Sequence, residues 1–418
     1  MEVTTPSAET TPSVEKLHVR CCIAGGGPAG MMLGFLLARA GIGVVVLEKH
    51  ADFLRDFRGD TIHPSTLEAI HELGILEILL KRPHQELPQL KAQIGGAEYI
   101  LADFSRLRTQ CRHIVLMPQW DFLDFLAGQA RCYPSFHLRM QSEVTGLIED
   151  AGRIVGVRVK TCKGELEIRA DLVVGADGRN SIVRECSGLK VDDLGAPMDG
   201  LWIRLSRIPS DPSTALLFDR GRILVMIDQG KYWQCAYVIR KEGLQATQRK
   251  GIEEVRAGIA EIAPFLADRV SELCNWSDIK VLSVRVDRLR DWHCPGLLCI
   301  GDAAHAMSPI GGVGINLAVQ DAIAAANTLV QPFRNGTVTS DHLASVQRRR
   351  MLPTRLTQGF QVMIQKQLIA RVLATSERVK LPWLQRLILG SQFLSRIRGR
   401  IIGIGFRPEH VKTADVLR

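Results

Sequence analysis

The uncharged run 21–38, CCIAGGGPAGMMLGFLLA, constrains the fold of this chain more than any other stretch. It is at the lower length limit for a membrane-spanning helix. Its five glycines and Pro28 argue against that reading, because glycine weakens a helix interior and proline breaks it. Strand, tight turn and helix fit better. Residues 18–24 are a β-rich run, 28–40 carry apolar residues at helical spacing, and 44–47 is a second buried strand ending at Glu48. The result is a βαβ unit, which belongs in a parallel sheet flanked by helices.

The turn of this unit, Gly25-Gly26-Gly27-Pro28-Ala29-Gly30, fits GxGxxG. Gly25 permits the tight turn, Gly27 lets a pyrophosphate approach the backbone, and Gly30 lets helix and strand pack closely. Pro28 and Ala29 open a helix whose free N–H groups favour an anion. Glu48, about 20 residues on, is suited to ribose hydroxyls, with Lys49 beside it. A glycine-rich core turn is the bland alternative, and the strand, helix and acid in register weigh against it.

Two later strand ends repeat the theme. Asp177-Gly178 follows the apolar run LVVGA, where α/β folds place ligands, although alone it would be an ordinary turn. Gly301-Asp302 follows the buried run LLCI and leads through Pro309 to Gly311, Gly312, Gly314, Ile315 and Asn316 at the start of a helix that carries Asp321, the most specific block in the chain. Asp302 suits a ribityl hydroxyl, and the glycines with the helix N-terminus form a second anion-favouring surface. Together these sites imply one long ligand bridging them, or two nucleotides.

The rest of the chain supplies the frame. Helices are expected over 66–80 and 120–131, irregular strands over 86–112, and a β-meander with a buried strand over 136–174. A mostly β lobe covers 202–240, an amphipathic helix 252–274, and helical pattern dominates from 315 onward with a kink at Pro353. The first 16 residues look like a disordered polar tail and not a secretory signal. Ten cysteines without CxxC or zinc-ligand spacing read as reduced intracellular thiols, so no metal site and a cytoplasmic address are expected. A net charge of +9 favours anionic partners and selects none of them.

In order and spacing, 25–48, the 177–178 loop, and 301–302 with Pro309 and Gly-x-Gly-x-Asn resemble the three motifs of the single-component FAD-dependent aromatic hydroxylases. The likeness is to the para-hydroxybenzoate hydroxylase and ubiquinone-biosynthesis type and covers about 17–375. It implies an α/β fold: a glutathione-reductase-like Rossmann FAD-binding domain interrupted by a β-sheet substrate lobe, with a C-terminal helical segment. The FAD domain is assigned to 17–85, 113–185 and 286–375, the lobe to 86–112 and 186–285, and the basic helical segment to 376–418. The resemblance further implies that Glu48 holds the adenosine ribose, that Arg58 and Gln119 approach the FAD, and that Asp302 binds the ribityl side. Asp177-Gly178 would support both FAD and NAD(P)H. Pro309 would face the isoalloxazine ring, and Gly314, Ile315 and Asn316 would offer N–H groups to its pyrimidine edge. Val313 departs from the family, which often has Gln or Lys there.

The function so implied is a monooxygenase that uses NAD(P)H and O2 to hydroxylate an aromatic or quinone-like small molecule through a flavin C4a-hydroperoxide. An FAD-dependent reductase such as a prenyl-chain reductase is the alternative, and a flavin-binding scaffold at a membrane is a reading from another class. The halogenase signature WxWxIP is missing, since Trp202 is followed by Ile, Arg and Leu. His63 is carried as an acid–base candidate against a packed imidazole, and His305 reads as part of its turn. On the strand near 232–240, Gln234 and Tyr237 are substrate candidates on opposite faces, against the alternative of lobe core. The stretch 378–400 mixes Lys and Arg with Trp, Leu and Ile, so it reads as a helix packed on the body or as a peripheral contact with the inner face of a membrane. Nucleic acid is not expected, and a homodimer stays open.

Overall fold

The computed structural model describes residues 15–54, 61–212, 215–241 and 243–417. Strand β1 (Glu15–Ala24) runs parallel to β2 (Val44–Leu47) on one side and to the strand Gly164–Gly175 on the other. Phe136–Arg139 extends this sheet beyond β2, and Leu297–Cys299 extends it past the 164–175 strand, both in parallel. Parallel neighbours need crossovers, and helix α1 (Pro28–Arg39) is the first. It is buried along its whole length from Ala29, between the helices Gly314–Arg334 and Gln119–Ala130. Its apolar residues on every side are what such a position requires.

Close packing here depends on glycine. A Cβ at Gly30 would stand 2.0 Å from the Gly25 carbonyl oxygen, and one at Gly34 2.7 Å from the Val46 side chain. The register then aligns the carboxyl ends of four strands. Ala24 pairs with Leu47 and with Gly175, and Gly175 with Cys299. Glu48, Gly25, the 177–178 loop and Gly301-Asp302 therefore all leave the sheet along one line.

A second sheet orders the strands 280–282, 198–206, 232–240, 222–228, 215–219, 89–94 and 97–103. The segment near 90–103 joins it through the parallel pairing of 215–219 with 89–94. One face packs Leu201, Ile203, Trp233 and Tyr237 against Val255 and Ile259 of the helix Ile252–Ile262. The other packs Met198, Phe218, Ile223 and Val284 against Ile369, Val372 and Leu373.

Several expected elements are shorter or divided. The helix expected over 66–80 is two, Pro64–Glu72 and Leu76–Leu79, because Gly74 takes a φ of +74° between them. The amphipathic helix over 252–274 ends at Ile262, where Pro264 starts a run of 3-10 turns. Pro353 does not interrupt the helix Ser340–Ile364; the ladder changes only afterwards, in a π turn over Gln365–Ile369. The segment 376–418 is helical only at Trp383–Gly390 and Gln392–Gly403.

Burial accounts for the apolar runs. The helical stretch Ile310–Arg334 is long and apolar enough to cross a membrane, yet 83% of its apolar window is buried inside the protein. All ten cysteines are unpaired. Burial pushes the Cys22 thiol up to about 12, which leaves it a small hydrophobe and not a nucleophile.

Candidate cofactor and active site

The first loop is built from backbone. Gly25 has a φ of +104°, donates its N–H to the Leu47 carbonyl at 2.8 Å, and lies so near Ala176 that a Cβ would be 2.4 Å from that carbonyl oxygen. Gly27 caps α1 with no capping side chain, and a Cβ there would meet nothing within 4 Å. The N–H groups of the first turn thus open onto free space. Glu48 accepts from the Gly26 N–H and the His50 N–H, each at 3.1 Å, so its carboxylate is fixed beside the loop. Lys49 is exposed next to it.

The other two strand ends meet this loop. Asp177 accepts from the Ser181 hydroxyl at 2.5 Å and the Val183 N–H at 3.2 Å, at the start of the short helix Ile182–Cys186, which Ser181 caps by accepting from the Arg184 N–H at 2.9 Å. Burial raises its pKa, and these hydrogen bonds only partly offset that. Its carboxylate serves its own loop, while Gly178, at a φ of +85°, has open space where a side chain would stand. A Cβ at Gly301 would lie 3.0 Å from the Ala29 side chain, which brings Asp302 to the start of α1. Asp302 is partly exposed, with Arg179 at 3.4 Å.

The third loop is held from behind and open in front. Pro309 is exposed between buried Ser308 and half-buried Ile310. Gly311 and Gly312 have φ of +79° and +64°, and a Cβ on Gly312 would strike Thr61 at 2.3 Å. Thr61 donates to the Gly312 carbonyl at 2.8 Å. His63 is fully buried behind the loop, with Nε2 3.1 Å from the Gly312 carbonyl and Nδ1 3.0 Å from the Ile402 carbonyl. Burial lowers its pKa to about 4 against the opposing pull of those carbonyls, so the ring is neutral at pH 7 and donates to one of them.

Gly314 begins the 314–334 helix with no capping side chain and nothing within 4 Å of a Cβ. Ile315 and Asn316 are buried, and the Asn316 side-chain oxygen accepts from Ser65 at 2.6 Å and Thr66 at 2.8 Å. The Asn316 side-chain oxygen is thus already engaged by the Pro64–Glu72 helix. Val313 packs with Met307 and Leu317, which accounts for an apolar residue at that point.

Two supports stand behind these loops, and the glutamines of the first were not read from the sequence. Gln358, Gln361 and Gln365 lie on successive turns and hold the chain before and through Pro309. Gln361 donates to the Ser308 and Ile310 carbonyls at 2.9 Å each and accepts from the Ser308 N–H at 3.2 Å. Gln365 donates to the Ser308 hydroxyl at 2.9 Å, and Gln358 to the Ala306 carbonyl at 3.1 Å. Glutamines at i, i+3 and i+7 were the available signal. The second support is Asp321, wholly buried, which pairs with His305 at 2.6 Å and Arg350 at 2.8 Å and accepts the Gly301 N–H at 3.1 Å. Burial alone would raise its carboxyl, but His305 and Arg350 hold it below the usual range.

The remaining candidates separate. Gln119 opens the 119–130 helix and is half-buried. Tyr237 is corrected from pocket floor to lobe core: its hydroxyl is so close to Gly258 that a Cβ there would be 2.4 Å away. Gln234 is on the opposite face, with Val238, which meets the cluster that also receives Ile310. Arg58 lies outside the described residues.

Unobstructed backbone at Gly27, Gly178 and Gly314, with the carboxylates of Glu48 and Asp302 at neighbouring strand ends, suits a dinucleotide, and the fold is that of a nucleotide-binding flavoprotein. The chain belongs to the FAD binding domain family, whose match spans residues 18–359. It is 32% identical over 362 residues to the 6-methylpretetramide 4-monooxygenase of Streptomyces rimosus, covering 86% of each chain. It is 25% identical over 360 residues to a para-nitrophenol 4-monooxygenase of a Pseudomonas species, covering 79% of this chain and 82% of that one. Other relatives are longer; the chain spans 60% of the 12-dehydrotetracycline 5-monooxygenase/anhydrotetracycline 6-monooxygenase of S. rimosus, at 28% identity and covering 72% of this chain. In fold it resembles PqsL of Pseudomonas aeruginosa, with a TM-score of 0.72 at 22% identity over 85% of this chain and 98% of that one. The protein is an FAD-dependent monooxygenase of the single-component aromatic hydroxylase type.

Proposed function

We propose that this chain inserts one oxygen atom into a hydroxylated aromatic or quinone-like molecule seated between the Pro309 loop and the Gln234 face of the second sheet. The observation that carries this reading is Ile310, which packs into the Met198, Phe218, Ile223 and Val284 cluster directly beside exposed Pro309. Cofactor loop and substrate lobe thus share one apolar contact, and the lobe comprises 86–112 and 186–285. Relatives named for 6-methylpretetramide and para-nitrophenol support an aromatic substrate.

Bound FAD would supply hydride acceptance and oxygen activation. This chain's part is to hold and orient it. Gly25, Gly27 and Gly30 with Pro28 and Ala29 receive the pyrophosphate, Glu48 and Lys49 flank the adenosine end, Gln119 and Gly178 contact the middle, and Asp302 holds the ribityl end opposite Glu48. Pro309, Gly312, Gly314, Ile315 and Asn316 border the ring. His63 acts as a positioning residue behind Gly312, since its nitrogens face carbonyls and not the open side. The helix N-terminus at Gly314 favours negative charge on whatever it meets. NAD(P)H gives two electrons, one oxygen of O2 becomes the new hydroxyl, and the other leaves as water. A cytoplasmic address agrees with ten unpaired cysteines.

A screen of phenols and quinols with NAD(P)H tests the reading by mass spectrometry. A product heavier by one oxygen is expected. Consumption of NAD(P)H with reduced, unoxygenated product across the whole panel would overturn it in favour of a reductase.

A further inference from the structure

The Gln392–Gly403 helix is fixed to the body by one face and leaves the other bare, and the Trp383–Gly390 helix before it has no buried residue. Ser395, Gly399 and Gly403 are buried, and a Cβ at Gly399 would be 2.0 Å from the Asp103 carbonyl oxygen. Arg398 donates to the Leu101 carbonyl at 2.6 Å and to the Ile100 carbonyl at 3.0 Å. The body is thus already fitted to that face. On the outer face Trp383 is 73%, Leu387 63% and Phe393 69% exposed, beside exposed Leu384, Ile388 and Ile397. Isolated exposed apolar residues are ordinary, but six on two consecutive helices form a patch that needs a covering.

We propose that this face seats the protein on an anionic lipid bilayer. Charge selects the occupant. Exposed Lys380, Arg386, Arg396 and Arg400 border the apolar residues, and 378–408 contains no Asp or Glu. A second copy docked on this face by a twofold would bring these cations against their equivalents, which costs free energy. A surface of anionic headgroups over hydrocarbon meets both demands: arginines pair with phosphates while Trp383, Leu387 and Phe393 enter the interfacial layer. The inference stands on these helices alone and does not depend on the substrate.

Flotation of the full chain with vesicles tests it. Equal parts phosphatidylcholine and phosphatidylglycerol are expected to carry the protein up at ~0.01 M ionic strength and to release most of it at ~1 M. Phosphatidylcholine alone is expected to leave it behind. Each of Arg386→Gln, Arg396→Gln and Arg400→Gln is expected to weaken binding about fivefold. Trp383→Ser with Leu387→Ser is expected to abolish flotation at unchanged thermal midpoint, since both side chains are exposed. Absence of flotation at low salt, or binding indifferent to the double variant, would overturn the proposal. So would a dimer in solution that Trp383→Ser dissociates, because a second copy would then cover the face.

Discussion

At the scale of single residues, the proposed cofactor track runs from Glu48 to Asp302. Glu48 keeps two backbone N–H groups in line, so Glu48→Ala loses both the brace on Gly26 and the ribose acceptor. The expected loss is about 1–3 kcal/mol, or roughly 5- to 150-fold in FAD dissociation constant. Asp302→Ala is expected to act similarly from the other end. Fluorescence titration of the apoprotein with FAD measures both, and wild-type affinity in the two variants together would refute a two-ended track. His63 gives a prediction in pH. Its folded pKa of about 4 lies below the ordinary 6.5, so between those values the unfolded chain binds the extra proton. Stability tied to this ring is therefore complete above about pH 6.5 and falls as pH drops toward 4, by about 3 kcal/mol in all. His63→Gln, which keeps one donor for the carbonyls, is expected to flatten that part of a denaturation series run against pH. A slope identical to wild type would mean the ring is not what titrates.

At the scale of elements, the loop before the 314–334 helix depends on the 340–364 helix behind it. Gln361 makes three hydrogen bonds to Ser308 and Ile310, and the π turn that follows presents Gln365 to Ser308. π turns gather at functional sites, and this one lies directly behind Pro309. Gln361→Ala is expected to leave the fold intact, loosen the loop and divert part of the NAD(P)H oxidised into H2O2. A peroxide assay run with substrate reads the ratio, and an unchanged ratio would remove the glutamine support from the account. The C-terminal segment belongs to the same set of supports. Glu409 pairs with Arg349 and nearly touches buried Arg350, Asp415 pairs with Arg39, and Ile402 accepts from or faces His63. Removing 376–418 leaves Arg350 with Asp321 alone and bares the 97–103 strand. Loss of a partner from a buried pair costs about 3–5 kcal/mol, so a fall in thermal midpoint of at least ~3 °C, or insoluble protein, is expected. An unchanged midpoint would make the segment an accessory.

For the whole molecule, what the sequence revealed and what it hid follow one physical division. Gly25, Gly30, Glu48 and Gly301 were readable because a turn, a close approach or a strand end imposes its residue type locally. The glutamines at 358, 361 and 365 were not, since each is explained by a partner more than 50 positions away that no local pattern names, and Asp321 was readable as part of its block but its pairing with His305 and Arg350 was not. Tyr237 shows the intermediate case: alternation separated it correctly from Gln234, but only the 252–262 helix decides which face is core. The same long-range assembly bears on the reaction, because Ile310 of the cofactor loop packs against the cluster on the sheet that carries Gln234. In the proposed reading a substrate seated at that contact shields the loop from water, which favours delivery of oxygen to the substrate over release as H2O2. With 18O2 and ordinary water, the product is therefore expected to carry one labelled atom, and one NAD(P)H to be consumed per product. Ile310→Asp puts a charge into the apolar contact and is expected to lower product per NAD(P)H several-fold while FAD stays bound, since Ile310 is remote from Glu48 and the Gly25 loop. Label in the product from water instead of O2 would refute oxygen insertion, and full coupling in Ile310→Asp would refute the part assigned to the contact between the sheets.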